Sequence, residues 1–540
     1  MSSRAPSFTR RSRARVVFIA LLAVLALWYR PPYAQPVPPL ASPPLSSPDT
    51  TYPPPAGRTT FVPRGGDLQA ALDRAEPGDV LALEAGATFV GNFVLPNKAG
   101  ADWIVVRSAA YDRLPPAGTR VAPSDSPLLA RIVTPNAAPA LATGPAAHHF
   151  HFAALEITAA PARADATVES LVRLESPGEQ SSLSRTPTDF LFERCYIHGA
   201  AAASVRRGIT LNSARTAVVD SYLAEFHDRS GEPQAVQALM GWNGPGPFKI
   251  VNNYLAAAGE NLVFGGPEPA IPNLVPADIE VRGNYFHKPA AWKPGDARRR
   301  VQDMLALKNA QRALIENNVF EDNWAEADGG FAVLFTVRNP SGAAPWSVVQ
   351  DVTFRKNVLR RSGAGISILG QDPDFPSQQA RRILIQDNLF EGIGGVNSGG
   401  SGTLFQILGG AANVVIDHNT GLQSGKALLV DGAPNTGFVY QNNIAAGDPS
   451  AAADSWSARF PGYIFARNVL AGGNPSGYPA ENFFPASVAG VGFVDAENGD
   501  YRLAATSPFF NAGTDGANIG VDFDALQPAA AGAVGGKRNS

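Results

Sequence analysis

From Phe190 onward the chain is built of apolar runs four to six residues long. Each is stopped by Asn or another small polar residue, then followed by one or two apolar positions and a Gly or charged turn. The pattern recurs in Phe190 to Ile197, Val218 to Leu223, Ile250 to Leu255, Ile279 to Phe286, Leu314 to Phe320, Val352 to Leu359, Ile383 to Phe390, Val414 to Asn419, Phe438 to Ile444 and Phe465 to Leu470. Its equivalent positions are Cys195, Ser221, Asn253, Asn284, Asn318, Asn357, Asn388, Asn419, Asn443 and Asn468, spaced 24 to 39 residues apart. Runs this short, and this rich in Val, Ile and Phe, read as strands. A repeated unit with variable insertions reads as a solenoid. One coil cannot bury its own inner face, whereas stacked coils can, and they leave parallel sheets along a rod. The fold expected is therefore all-β: a single-stranded right-handed parallel β-helix of ten or more coils. The recurring Asn is assigned two tasks, a left-handed backbone at the bend and a side-chain hydrogen-bond ladder from coil to coil. Cys195 and Ser221 stand in this slot as small buried substitutes, which gives Cys195 a packing role rather than a reactive one.

The ends of a solenoid need covers. Leu68, Ala71, Leu72 and Ala75 fall at helical spacing behind Asp67, predicting a short N-terminal capping helix with Asp67 as N-cap. Pro77-Gly78-Asp79 then turns into a first strand at Val80 to Leu83. Phe493 to Asp524 lacks the Asn pattern and is expected to cap the other end. Five arginines between Arg4 and Arg15 precede the apolar run Val16 to Trp28. That run is short for a membrane span and fits the apolar core of an export signal. Residues 1–34 are thus expected to be a signal peptide cut after Ala34, or an uncleaved membrane anchor. Residues 35–59 read as a Pro-rich linker, 60–525 as the β-helix domain and 526–540 as a flexible tail. The protein is expected to be secreted, periplasmic or on the cell surface, touching a membrane only through an uncleaved N-terminus, and monomeric.

Composition sharpens this little. Of 540 residues 17% are charged, with 53 Gly and 46 Pro, which suits many short strands and turns. The formal charge of −3 falls to −9 once residues 1–34 and their six arginines are gone, so nothing favours a nucleic-acid partner. A single cysteine excludes an internal disulfide.

The segment Leu68 to Pro96, with its Pro-Gly-Asp turn and Gly91-Asn-Phe, resembles the opening of pectin-lyase-like right-handed β-helix proteins. The tail Gly499 to Leu503 with Ser507 to Gly516 is similar to their C-termini. Within that superfamily, Asp303 to Phe320 resembles a stretch of alginate-lyase and chondroitinase-B-like polysaccharide lyases. These carry a lysine on such a strand before an Asn-bearing bend, and an arginine on the next coil. The resemblance assigns Lys308 to the lysine and Arg338 to the arginine. Of the family's acids ahead of the lysine only Asp303 has a counterpart, since Val301 and Ala306 carry no carboxylate, and an insertion from Trp324 to Gly330 lengthens the Lys-to-Arg interval.

β-Elimination on a uronate requires neutralisation of the substrate carboxylate, a base for the C5 proton and an acid for the leaving oxygen. Lys308 is the candidate base and Arg338 the charge partner. Glu260, Asn261, Asn309, Trp242 and Trp324 are candidate substrate contacts, and Asp303 with Glu260 is a candidate calcium site, calcium being the one cofactor considered. The expected partner is a uronate-containing polysaccharide. Two other readings stand beside the lyase: a non-catalytic carbohydrate-binding or cell-surface scaffold, and an inverting glycoside hydrolase. Asp417-His418-Asn419 falls on the ladder slot and reads as a bend. His148, His149 and His151 read as a surface strand start without an acid nearby.

Overall fold

The computed structural model describes residues 1–2, 39–52, 55–160, 167–176, 178, 180–200, 202–229, 236–293, 300–448 and 456–538. The chain divides into two units, Met1–Val37 and Pro38–Ser540; residues 3–34 of the predicted export or anchor segment lie outside the described residues. Among those described, no helix is long and apolar enough to cross a membrane.

The second unit is a right-handed parallel β-helix. Its described strands form three long parallel sheets of 14, 13 and 11 strands, called sheets 1, 2 and 3. One coil shows the plan: Leu305–Leu307 lies in sheet 3, Ala310–Glu316 in sheet 1 and Val319–Asn323 in sheet 2, before Phe331–Thr336 returns to sheet 3. In-register pairing stacks like positions into columns. In sheet 1 one inward column runs Phe192, Val218, Ile250, Val281, Ile315, Phe354, Ile385, Ile416, Tyr440 and Phe465. These are the apolar positions just ahead of each Asn, and every one is buried.

The bend between sheets 1 and 2 divides the two tasks that the sequence assigns to one Asn. The left-handed backbone belongs to the preceding residue: Arg194, Asp220, Asn252, Gly283, Asn317, Lys356, Asp387, His418, Asn442 and Arg467 all have φ between 49° and 62°. The ladder residue itself turns inward. Asn253, Asn284, Asn318, Asn357, Asn388, Asn419, Asn443 and Asn468 each donate from Nδ2 to the next Oδ1 at 2.9–3.1 Å, and the row extends to Asn482. Ser221 and Cys195 continue it as predicted, through Ser221 N to Asn253 Oδ1 at 2.9 Å and Cys195 N to Ser221 Oγ at 3.0 Å. Burial pushes the Cys195 thiol up to about 12, so no thiolate is present at neutral pH.

The N-terminal helix is Leu68–Arg74; the Asp67 carboxylate accepts from Ala70 N, and Leu68, Ala71 and Leu72 are buried. Two terminal segments then cover the rod's sides. Residues 42–52 run along sheet 1 from Val349–Arg355 back to His148–Ala153. Ser42 N donates to Asp351 (3.0 Å), Leu45 N to Asp278 (2.9 Å), Ser47 Oγ to Glu280 (2.8 Å) and Lys249 Nζ to Thr50 Oγ1 (3.1 Å). Tyr52 ends against the rings of His151 and Tyr111. At the other terminus, Phe523–Gly535 is a helix where the sequence reading places a flexible tail. Leu526, Ala529 and Ala533 recur at helical spacing and are buried. Leu526 and Ala533 pack with Val319, Val358 and Leu389 on the outer face of sheet 2. Arg120 donates to the carbonyls of Ala533 and Val534 at the helix end (3.1 and 2.8 Å), a favourable place for a cation. Phe509, Leu503 and Ile519 likewise lie outside sheet 2, against Ile444 and Val469. The segment expected to close the end thus packs along the flank.

Candidate functional site

Sheets 1 and 2 carry these straps; the outer face of sheet 3 carries the candidate chemistry. Strands Arg207–Leu211, Gln237–Gly241 and Glu260–Phe264 pair so that Arg207, Gln237 and Glu260 stand in register. Stacking in one column brings their side chains within hydrogen-bond reach. Arg207 Nε donates to Gln237 Oε1 (3.0 Å), and Gln237 Nε2 donates to Glu260 Oε2 (2.8 Å). Lys308, just beyond Leu305–Leu307, folds back past Gly266 and donates to the other oxygen, Glu260 Oε1. The result is a line of cation, amide, carboxylate and cation. Glu260 is buried, with 4% of its side chain exposed, while Lys308 keeps 23% and Arg207 20%. Burial lowers the Arg207 pKa against the pull of Glu169.

Beside this line lies an apolar floor of Met240, Val263, Ala306, Phe331, Leu334 and Ala364, with half-buried Trp242 packed on it. The Arg207 guanidinium sits 5.9 Å from the Trp242 ring centre, within cation–π range. Arg338 belongs to the next coil at the same corner of the rod; its backbone N donates to Lys308 O at 2.9 Å. Burial would raise the Asp372 carboxyl, but the backbone donors of Asn339, Phe375 and Asp374, with a smaller share from the Arg338 charge, hold it below its ordinary range.

The remaining sequence candidates fall elsewhere. Asn309 is buried and serves the backbone, giving Nδ2 to Leu274 O (3.2 Å) and taking Val348 N (3.2 Å). Asn261 is buried and donates to Leu255 O at 2.6 Å. Trp324 is only 3% exposed, in a cluster with Trp292, Val301 and Tyr254 away from the apolar floor, so it offers no open ring face to a sugar. The residues do not fit calcium. Both Glu260 oxygens are taken by Lys308 and Gln237, and the charges of Glu260 and Asp303 act on a buried ammonium, Lys288. Among the described residues no group of three or more His, Cys, Asp or Glu side chains is placed to hold a metal.

His418 takes the left-handed bend position (φ 52°) as expected, with Nδ1 2.8 Å from Asp417 Oδ1. His149 and His151 do share a side, facing Trp103. Acids join them from the next coil, however: Asp189 at 3.8 Å and Glu193 at 3.0 Å. Register across coils is invisible to a reading along one strand, and Arg207, Gln237 and Lys288 went unnoticed for the same reason. The only available signal was that Arg207, Gln237 and Glu260 each open an apolar strand run.

No family model and no curated protein matches the sequence. Solved structures do. An alginate lyase from Paenibacillus sp. str. FPU-7 is 12% identical, with 79% of this chain and 98% of that one covered at a TM-score of 0.33. The PL6 family alginate lyase AlyGC is 14% identical over 87% of this chain and 57% of its own, at 0.43. The catalytic unit of a thermostable GH87 alpha-1,3-glucanase from Streptomyces thermodiastaticus strain HF3-3 is 12% identical over 83% and 71%, at 0.49. Likeness this remote bears on neither substrate nor mechanism.

Proposed function

We propose that the outer face of sheet 3 binds a uronate-containing polysaccharide and that the protein is a polysaccharide lyase acting there by β-elimination. The observation that carries this reading is a lysine on a buried carboxylate (Lys308 on Glu260) at a corner where the backbone of Arg338 on the adjoining coil meets that of Lys308, beside an apolar floor with Trp242 packed on it. Trp242 and the apolar floor suit the C–H face of a sugar ring. Arg338 is the partner for the uronate carboxylate, whose neutralisation acidifies C5–H. For this step Lys308 gives up one proton to solvent as the glycan docks, leaving a free amine as base. That amine takes the C5 proton, the C5–H electron pair forms the C4=C5 double bond, and the C4–O bond breaks. The leaving oxygen then recovers the proton from the Lys308 ammonium.

A second reading, glycan binding without cleavage, is favoured by one feature: the Lys308–Glu260 ion pair holds the ammonium form, which is not a base. Incubation with alginate, pectate and chondroitin, followed by the ultraviolet absorbance of unsaturated ends, separates the two. The lyase reading expects absorbance growth that Lys308→Ala abolishes. Growth that survives Lys308→Ala removes Lys308 as the base, and retained binding without growth leaves the scaffold reading.

A further inference from the structure

Lys288 is fully buried and plays no part in the chemistry above. A lysine without solvent is a costly feature, because burying an ammonium is tolerated only where fixed acceptors replace its water. Here they do. Lys288 Nζ donates to Ala257 O (2.8 Å), Ala258 O (3.3 Å) and Asp303 O (3.1 Å), with Gly259 O in closer contact still. Ala257 ends the strand Tyr254–Ala257, Ala258 and Gly259 form the bend that delivers the chain into Glu260–Phe264, and Asp303 leads into Leu305–Leu307 and Lys308 on the next coil. One ammonium therefore ties the entry of the Glu260 strand to the entry of the Lys308 strand.

The groups acting on it are two acids. Burial pulls the Lys288 pKa down, while Asp303 and Glu260 hold it up. Its neighbour His287 faces away, toward Tyr254 and Asp322. Four carbonyl oxygens around a nitrogen that carries three protons, with two carboxylates behind, favour the charged form. Such a cage has the donor set of a small-cation site built from backbone oxygens, with a lysine supplying the cation.

We infer that Lys288 is a positioning residue of the sheet 3 site: its ammonium is a built-in cation that locks the bend before Glu260 to the neighbouring coil and so keeps Glu260 within reach of Lys308. The functional half of this rests on the proposed roles of Glu260 and Lys308; the cage itself does not.

The test is chemical rescue in the full chain. Lys288→Ala leaves the cage lined by carbonyls, and its melting temperature is expected to fall by about 5 °C or more. Methylammonium chloride should restore at least half of that loss saturably, tetramethylammonium chloride should restore none, and the wild type should respond to neither. Equal response to the two salts overturns the cage. If Lys288→Ala does not fold, Lys288→Met takes its place. It fills the space without charge, and the expected result is a tenfold or larger loss of turnover with KM changed less than twofold. Unchanged turnover, or a loss confined to KM, overturns the positioning role. Methylammonium rescue in a protein whose wild type cleaves no polymer would keep the cage and remove the lyase reading. Failed rescue beside cleavage that depends on Lys308 would do the reverse.

Discussion

Replacing Asn357 by alanine removes one rung from the middle of the ladder. Its Oδ1 accepts from Asn318 N at 2.9 Å and Asn318 Nδ2 at 3.0 Å. Its Nδ2 donates to Ile315 O at 3.0 Å and Asn388 Oδ1 at 3.1 Å. Three of the partners keep another bond or a second acceptor site, since Asn318 Nδ2 also reaches Val281 O and Asn388 Oδ1 still accepts Asn357 N. Asn318 N has only this acceptor and is left buried and unpaired. Four lost bonds at about 1 kcal/mol each, offset in part by the retained contacts and increased by the orphaned N–H, give a destabilisation of about 3–5 kcal/mol. The adjacent position provides the control. Lys356 holds the left-handed bend at φ 52°, so Lys356→Gly relieves about 1 kcal/mol of strain and costs a similar amount in unfolded-chain entropy, for a net change within about 1 kcal/mol. Urea denaturation followed by circular dichroism measures both. If Lys356→Gly costs more than Asn357→Ala, or Asn357→Ala stays within about 1 kcal/mol of wild type, then the division of labour between bend residue and ladder residue is wrong.

Four further outcomes are expected. Lys308→Ala should lower cleavage at least about 100-fold, the usual worth of a general base, with the circular dichroism spectrum unchanged; a loss below tenfold excludes it from proton transfer. Trp242→Ala should weaken glycan binding about tenfold through the lost ring face and cation–π contact, whereas Trp324→Ala should leave binding alone and cost about 3–5 kcal/mol in unfolding as a buried-aromatic truncation; titration calorimetry and melting curves reversing that pattern would exchange the two roles. Cleavage, where seen, should persist after dialysis against EDTA, since neither Glu260 oxygen is open to calcium. Finally, burial would raise the Glu156 carboxyl, but His198, Arg131 and Ser126 bring it from an ordinary 4.5 to about 2. A depressed acid stabilises the fold above its unfolded pKa and loses that contribution as pH falls through the folded one. Glu156→Gln should therefore melt below wild type at pH 7, with the gap closing between pH 4.5 and 2; a gap independent of pH would assign the loss to packing.

Lys308 and Arg338 entered through a resemblance carried on a single stretch of chain, a strand-bound lysine before a bend and an arginine one coil on, and their roles belong to the proposal. Glu260 was legible as an acid, but its partners were not. Gln237 and Lys308 approach it from 23 and 48 residues away, and only the register of sheet 3 sets those distances. The same blindness misplaced Trp324, whose position in a loop said nothing of the buried cluster it shares with Trp292 and Tyr254. The helix at Phe523–Gly535 carried its own signals, an Asp522 N-cap and apolar residues at helical spacing. A helix this short and weakly apolar forms only against the waiting face of sheet 2, which no local pattern reveals.

What the sequence determined by itself was the repeat: strand, bend, Asn, strand, and from it the β-helix with its inward columns. That information is local, since period and side-chain type suffice to say that like must stack on like. What only the tertiary structure decided was which outward side chains meet. Insertions of different length separate the coils along the chain, but in-register pairing erases those differences in space. It sets Arg207, Gln237, Glu260 and Lys308 in one line, puts Lys288 beneath it, and lays residues 42–52 and the helix Phe523–Gly535 along the other two sheets.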